Sequence, residues 1–232
     1  MVDFQAARRA MVDGQVRTND VTNLDLIDAM LDVPREAFVP ERLAAWAYLD
    51  RDLELQSGNG AARYLLKPVV TARLIQAADI GLKDRVLVVG SATGYSAAVV
   101  SRLAGAAVAL EEDPALAEAA QAALRRLGLV TVTPVIGRLT DGWPAAAPFD
   151  VILVEGGVEV IPDALFAQLS EGGRLVTVVY GGGQGQLEGQ IEGQVGKATL
   201  FRSVRGEVAG RTLFDSAAPL LPGFRKAPAF VF

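Results

Sequence analysis

Apolar and polar residues alternate along the chain in a way that predicts strands separated by helices from about residue 85 onward. Short β-branched and aliphatic runs, typical of strands buried on both faces of a parallel sheet, occur at Arg85–Val89, 107–110 and 148–154. Between them, apolar residues recur every three or four positions over 95–103 and 114–127, which indicates helices. We expect a further helix over 161–169. This alternation predicts an α/β fold with a doubly wound, mostly parallel sheet.

The first 80 residues follow a different pattern. Helical spacing over 4–16 and 24–31 is followed by two prolines and a loop, and a further helix begins at Pro68. We therefore expect an N-terminal helical extension and loop over 1–80, packed on an α/β core over 81–232. Within that core, the Gly-rich stretch 181–196 predicts a hairpin connection rather than a functional lid.

The C-terminal residues are too apolar to form a free tail. Leucines 220 and 221 and the run 230–232 are strongly apolar, and we expect this segment to dock on the core as a final strand.

A glycine turn between the first core strand and the first core helix is the first candidate site. We expect its backbone N–H groups to open the helix and to face whatever binds there. Glu111 and Glu112 end the next strand, with Glu111 placed 21 residues after Gly90. A nucleotide-binding βαβ unit places the acid that holds ribose hydroxyls at about this distance. The turn itself consists of Gly90, Ser91, Ala92, Thr93 and Gly94.

The spacing predicts a nucleoside-cofactor site, but a purely structural turn also fits these residues. Ala92 stands where a G-x-G-x-G pattern has its middle glycine. Further candidates follow other strands: Gly137, Arg138 and Leu139 come after the strand 130–136, and Glu155 comes directly after the run 148–154. Ligands of doubly wound folds bind at this carboxyl edge of the sheet.

The composition restricts the chemistry. The 232 residues include no histidine and no cysteine, which excludes disulfides, thiolate nucleophiles, Cys/His zinc sites and histidine-based triads. We expect no metal site, and any catalysis must use carboxylates, hydroxyls, Lys, Arg or a bound cofactor. A net charge of −5 without a Lys/Arg cluster argues against a nucleic-acid partner.

The hydrophobic pattern of the sequence predicts neither a membrane-spanning helix nor a secretory signal. No window reaches the ~18 apolar residues of a spanning helix, and the N-terminal residues lack a secretory h-region. We expect no membrane partner and a cytoplasmic location.

Several segments carry motifs in one order along the chain. Residues 32–40 read DVPREAFVP, 47–50 read AYLD, and 143–152 read WPAAAPFDVI. Together with the turn at 90–98, Leu110-Glu111 and the run 161–176, they resemble the protein-L-isoaspartate O-methyltransferases. That family is a branch of the class I S-adenosylmethionine-dependent methyltransferases, and the similarity extends from about residue 15 to 180.

The resemblance implies a Rossmann-like methyltransferase core that binds S-adenosylmethionine. The turn would lie under the methionine moiety, Glu111 on the ribose, and Arg138 and Leu139 near the adenine. The implied reaction is methylation of the α-carboxylate of an isoaspartyl residue in a protein or peptide, a step in protein repair. The N-terminal extension would help to bind this substrate.

Four functional positions differ from the family pattern. Val88 stands in place of an acid before the turn, Ala92 in place of the second glycine, and Arg138 in place of the aspartate of Gly-Asp-Gly. Valine cannot interact with the cofactor's ammonium group, and arginine cannot accept hydrogen bonds from the adenine amino group. The family's substrate loop corresponds to residues 60–68, and Leu66 replaces its serine.

The altered substrate loop offers other candidates for substrate binding. Arg63, Tyr64 and Lys67 lie beside Leu66 in this loop, and an arginine would suit an anionic carboxylate. Each of these three side chains also fits an ordinary solvated or packing role.

Two alternatives therefore stay open beside an isoaspartyl methyltransferase. The chain could be a catalytically inactive methyltransferase-fold protein acting as a binding or assembly module, or a methyltransferase for another substrate. Glu111 and Gly94 favour cofactor binding, whereas Val88, Ala92 and Arg138 weaken it.

Overall fold

The computed structural model describes residues 2–55, 62–181 and 195–226. The α-helices within these ranges are α1 (Phe4–Met11), α2 (Leu24–Asp32), α3 (Pro68–Ala78), α4 (Tyr95–Val100), α5 (Pro114–Arg126) and α6 (Asp163–Phe166). The strands are β1 (Leu53–Leu55), β2 (Arg63–Leu65), β3 (Arg85–Val89), β4 (Ala106–Glu111), β5 (Val132–Ile136), β6 (Phe149–Val158), β7 (Leu169–Val179), β8 (Gly196–Val204) and β9 (Glu207–Ser216).

Seven strands form one sheet in the order β5-β4-β3-β6-β7-β8-β9. The strands from β5 to β7 are parallel, and β8 and β9 are added antiparallel. The chain winds outward from β3 through β4 to β5, then returns to β6 on the other side of β3. The predicted doubly wound, mostly parallel fold is therefore confirmed, and its switch point lies between β3 and β6.

The sheet separates two apolar cores because side chains alternate along each strand. In β3, Val86 and Val88 belong to the larger core, whereas Leu87 and Val89 belong to the smaller one. The larger core also includes Met11 of α1, so the N-terminal residues share one apolar cluster with the sheet. The division into 1–80 and 81–232 stays a prediction about domain organisation.

A short antiparallel hairpin, which the apolar pattern did not predict, forms before α3. Strands β1 and β2 pair through Leu53 with Leu65 and through Leu55 with Arg63. Each strand has three residues, too few for a period-2 pattern to be recognised.

Two other expectations were wrong in detail. The helix expected over 161–169 is only α6, and Leu169 already starts β7. Residues 217–226 contain, in place of the start of the expected final strand, a single bridge between Leu220 and Gly157 and a turn, and the run 230–232 lies outside the described residues. Pro219 and Pro222 explain this difference, because proline has no N–H to donate to a ladder.

Some predictions fall outside the described residues. The Gly-rich connection joins the antiparallel neighbours β7 and β8, but residues 182–194 of it are not described. Among the helices that are described, none has the length and apolar character needed to cross a bilayer. The cytoplasmic location stays a prediction.

Candidate functional site

The carboxyl edge of the sheet gathers the predicted cofactor residues at the switch point. The glycine turn follows β3, Glu111 is the last residue of β4, and Glu155 lies in β6 beside them. The N–H groups of Gly90 and Ser91 both donate to the Leu110 carbonyl at 3.0 Å, which ties the turn to β4. This is the position at which ligands bind in doubly wound folds.

The turn reverses the chain through left-handed backbone conformations. Gly90 has φ +75° and Gly94 has φ +93°, values that glycine adopts without steric cost. Ala92 has φ +48°, so the residue that replaces the family's second glycine adopts a conformation that glycine favours. The Thr93 hydroxyl donates to the Phe38 carbonyl, which connects the turn to the N-terminal extension.

The Glu111 carboxylate is buried and fully hydrogen-bonded. Its Oε2 accepts from the Ala92 N–H at 2.7 Å and from Arg63 Nη2 at 2.9 Å. Its Oε1 accepts from the N–H groups of Glu112 at 3.0 Å and Asp113 at 3.1 Å. A carboxylate has about four acceptor positions, and these four donors occupy them.

Arg63 comes from β2 and is only 3% exposed. Alternation along β2 turns Arg63 and Leu65 inward and leaves Tyr64 half-buried. Besides the ion pair with Glu111, the Arg63 guanidinium has two buried nitrogens, Nε and Nη1, without a hydrogen-bond partner in the described part of the chain. Arg63, which we expected either to be solvated or to bind substrate, therefore forms an ion pair with Glu111, the acid predicted to bind ribose.

Leu221 covers the turn from the other side. A Cβ added to Gly90 would lie 2.9 Å from Leu221 Cδ2 and 3.1 Å from Arg63 Nη2. A Cβ added to Gly156 would lie 2.5 Å from Leu221 Cγ. The cavity that remains between the substrate loop, Glu155 and residues 219–222 has a volume of about 10 Å³, the size of one water molecule.

A nucleoside does not fit at this edge in the described conformation. Arg63 occupies the hydrogen-bonding position on Glu111 that ribose hydroxyls would take, and Leu221 covers Gly90, where the backbone would approach a ligand. Both side chains must move before the predicted cofactor can bind.

Glu155 is a buried carboxyl next to the turn. Its Oε2 accepts a hydrogen bond from the Ser96 hydroxyl of α4, while Oε1 has no partner within the described ranges. Burial raises the pKa of Glu155 to about 7, and the Ser96 hydrogen bond and the guanidinium groups of Arg35 and Arg63 only partly oppose this rise.

The raised pKa of Glu155 predicts a pH-dependent stability. In the unfolded chain this carboxyl has a pKa near 4.5, so between 4.5 and about 7 the folded state binds the extra proton. The free energy of unfolding therefore falls as the pH rises through this window, by up to about 3 kcal/mol. We expect Glu155→Gln to remove this fall and to make the protein more stable than the wild type at about pH 8.

Urea denaturation of both proteins at about pH 5 and about pH 8 measures this difference. Glu118→Gln, on the exposed face of α5, is the matched control and should retain the wild-type pH dependence. Equal pH dependence in the wild type and Glu155→Gln would contradict the prediction.

The substrate loop is attached to the N-terminal extension by Arg35. This fully buried arginine donates from Nε to the Ala47 carbonyl at 2.7 Å and from Nη2 to the Leu66 carbonyl at 2.5 Å. The Leu66 side chain lies in the larger core, and the half-buried Lys67 donates its backbone N–H to Asp52 Oδ1 at 2.8 Å.

The residues predicted near adenine are only partly brought together. The Gly137 N–H donates to the Glu111 carbonyl at 3.1 Å, which places that strand end beside β4. The Arg138 side chain is exposed, Leu139 is buried in the smaller core, and Glu112 is half-buried. The roles of these residues toward a cofactor stay predictions.

Sequence reasoning did not include Arg35, Ser96 or Leu221 among the site residues. Arg35 stands between Pro34 and Phe38 in the segment DVPREAFVP, where a charged residue in an apolar context was the available signal. Leu221 lies in the apolar C-terminal segment, but no local pattern indicates which surface such a segment covers.

Comparison with known proteins identifies the relatives of this chain. The family model described as protein-L-isoaspartate(D-aspartate) O-methyltransferase matches residues 7–201. A protein-L-isoaspartate O-methyltransferase of Methylorubrum extorquens (strain PA1) is 42% identical over 214 residues, covering 92% of this chain and 85% of the relative. One from Pelotomaculum thermopropionicum is 39% identical over 172 residues, covering 74% of this chain and 73% of the relative.

Solved structures agree with these relatives. A protein-L-isoaspartate O-methyltransferase superimposes with a TM-score of 0.78 and 26% identity, over 93% of this chain and 66% of that structure. A Plasmodium falciparum protein described as a protein-L-isoaspartate O-methyltransferase in complex with S-adenosyl-L-homocysteine has a TM-score of 0.69 over 91% of this chain and 96% of its own. At 16% identity, this second likeness concerns the fold alone.

Proposed function

Because this chain belongs to the protein-L-isoaspartate O-methyltransferase family, we propose that it transfers a methyl group from S-adenosylmethionine to the α-carboxylate of an isoaspartyl residue in a protein. The observation that carries the proposal is the family match over residues 7–201, which includes the glycine turn, Glu111 and Glu155. These residues lie together at the switch point of the sheet, where the fold binds ligands.

The residue inventory suits this reaction. The nucleophile is the substrate carboxylate, which is already ionised at neutral pH, so the protein needs no general base. S-adenosylmethionine, when bound, supplies an activated methyl group on a sulfonium leaving group. The chain has to hold the carboxylate oxygen and the methyl group in line, a task that requires neither histidine nor cysteine.

Different parts of the site would serve the two ligands. The turn and Glu111 would bind the cofactor, with the Glu111 carboxylate as the acceptor for the ribose hydroxyls. Tyr64 and Lys67 are half-buried in the substrate loop and are the candidates for holding the isoaspartyl carboxylate. Arg63 becomes available to the substrate only after it leaves Glu111.

A methyl-transfer assay tests the proposal. We expect purified protein and labelled S-adenosylmethionine to give a base-labile methyl ester on an isoaspartyl peptide, and about tenfold less on the same peptide with normal aspartate. Glu111→Gln should lower the rate at least about tenfold, because a charged hydrogen-bond acceptor for the ribose is lost. Glu118→Gln, on the exposed face of α5, is the control and should retain most of the rate.

Two results would contradict the proposal. One is a folded wild-type protein that methylates neither peptide, and the other is equal methylation of both. Circular dichroism of Glu111→Gln distinguishes loss of binding from loss of folding.

One observation favours the alternative of a binding module without a cofactor. The nucleoside position is filled by Arg63 and Leu221, which hold Glu111 and Gly90 inside the protein. This alternative predicts no methyl transfer and no affinity for S-adenosyl-L-homocysteine, even when Leu221 is shortened.

A further inference from the structure

We propose that Arg63 and residues 219–224 form an internal plug that closes the nucleoside position, so that S-adenosylmethionine binds only after the plug withdraws. The inference rests on the proposed function and adds a regulatory step to it: the closed form is autoinhibited. Three features of the described residues carry it.

The first feature is direct competition for Glu111. Arg63 Nη2 lies 2.9 Å from Glu111 Oε2, and both side chains are almost completely buried. Backbone N–H groups occupy the other three acceptor positions of the carboxylate: that of Ala92 in the glycine turn, and those of Glu112 and Asp113 directly after β4. A ribose hydroxyl can donate to Glu111 Oε2 only where Arg63 now donates.

The second feature is the way in which residues 219–224 are attached. The Gly157 N–H donates to the Pro219 carbonyl at 2.7 Å, and the Leu221 N–H donates to the Gly157 carbonyl at 2.9 Å. The N–H groups of Glu159 and Val160 donate to the Phe224 carbonyl at 2.9 and 3.2 Å. These bonds hold the segment at two points, one at Gly157 near the carboxyl end of β6 and one at the two residues after β6, and not along a continuous ladder. The part that carries Leu221 can therefore detach while β9 stays paired.

The third feature is incomplete pairing inside the closed site. Arg63 Nε and Nη1, Glu155 Oε1 and the Ser91 hydroxyl are buried and have no hydrogen-bond partner among the residues described. Unpaired buried polar atoms raise the free energy of a closed conformation, and opening to water or to a polar ligand would satisfy them. We would not expect a core that never opens to contain four such atoms around one small cavity or turn.

When a plug competes with a ligand, only molecules in the open form can bind, so the apparent affinity is the intrinsic affinity multiplied by the open fraction. Weakening the plug should therefore tighten binding. We expect Leu221→Ala to bind S-adenosyl-L-homocysteine about tenfold more tightly than the wild type in calorimetry. Leu127→Ala, which shortens a leucine at the end of α5 away from the plug, is the control for general destabilisation and should leave the affinity within about twofold.

Because the chain has no native cysteine, a single introduced thiol can report plug movement in a second measurement. The thiol introduced by Leu221→Cys is buried in the closed form and should react with iodoacetamide only when the plug opens. We expect saturating S-adenosyl-L-homocysteine to raise its labelling rate at least about tenfold, in proportion to the open fraction. The thiol introduced by Leu127→Cys should show no such change.

The outcomes separate the plug from the proposed function. Tighter binding by Leu221→Ala than by the wild type, together with ligand-dependent thiol labelling, supports the plug even if no isoaspartyl peptide is methylated. In that case the proposed function alone would fail. Binding and methylation with unchanged thiol labelling would overturn the plug and leave the function intact. No binding to wild type or Leu221→Ala at about 1 mM ligand would overturn both.

Discussion

Replacing Arg63 by methionine is expected to lower the free energy of unfolding by about 3 kcal/mol in the absence of cofactor. The substitution retains most of the apolar stem but leaves the buried Glu111 carboxylate without its cationic partner. Removal of one partner from a buried ion pair costs more than the pair itself contributes, because the remaining charge stays out of water. Three backbone N–H groups still bind Glu111, which keeps the loss at the lower end of the usual range.

Urea denaturation at about pH 7 measures the loss, and a double-mutant cycle with Glu111→Gln assigns it to the ion pair. The double variant should be more stable than the sum of the two single losses predicts, by at least about 1 kcal/mol. Additive losses, or a change below about 0.5 kcal/mol for Arg63→Met, would show that the pair is not formed in solution.

Replacing Arg35 by methionine should have a similar effect, a loss of about 3 kcal/mol, for a different reason. Arg35 is fully buried, and its guanidinium lies 4.6 Å from the centroid of the Tyr95 ring. Methionine would leave the buried carbonyls of Ala47 and Leu66 without donors and would remove the cation–π contact. The cost of burying the guanidinium, which lowers the pKa of Arg35, offsets part of this loss.

Denaturation of Arg35→Met and Arg35→Lys distinguishes charge from geometry. Lysine retains the charge but not the planar fork that reaches two carbonyls, so Arg35→Lys should lose more than half as much as Arg35→Met. Arg9→Met, on the exposed side of α1, is the control and should change stability by less than about 0.5 kcal/mol. Wild-type stability in Arg35→Lys would contradict the bidentate role.

The order of strands and helices in the core could be predicted because its signals are local. The run Arg85–Val89 is β3 with the predicted bounds, and the glycine turn and Glu111 meet as the spacing indicated. Parallel strands buried on both faces are continuous apolar runs, and a strand followed by a turn and a helix has only one common arrangement. The carboxyl edge of the sheet therefore followed from the sequence.

The side chains that fill the carboxyl edge of the sheet could not be predicted in the same way. Arg63 and Glu111 are separated by 48 positions, and their contact depends on the short hairpin of β1 and β2, which has no recognisable period. Leu221 reaches the turn through a segment with one bridge residue and no regular structure. Such contacts are determined by how the whole chain packs and have no local sequence pattern.

The two outer strands of the sheet also affect how copies of the protein behave at high concentration. Strand β5 carries Pro134, which cannot donate a ladder hydrogen bond, and β9 places six consecutive exposed residues, Glu207–Thr212, at the opposite edge. Proline and charged side chains such as Glu207 and Arg211 disfavour pairing between sheet edges of different molecules. An apolar replacement of these two charges should therefore promote aggregation without altering the site.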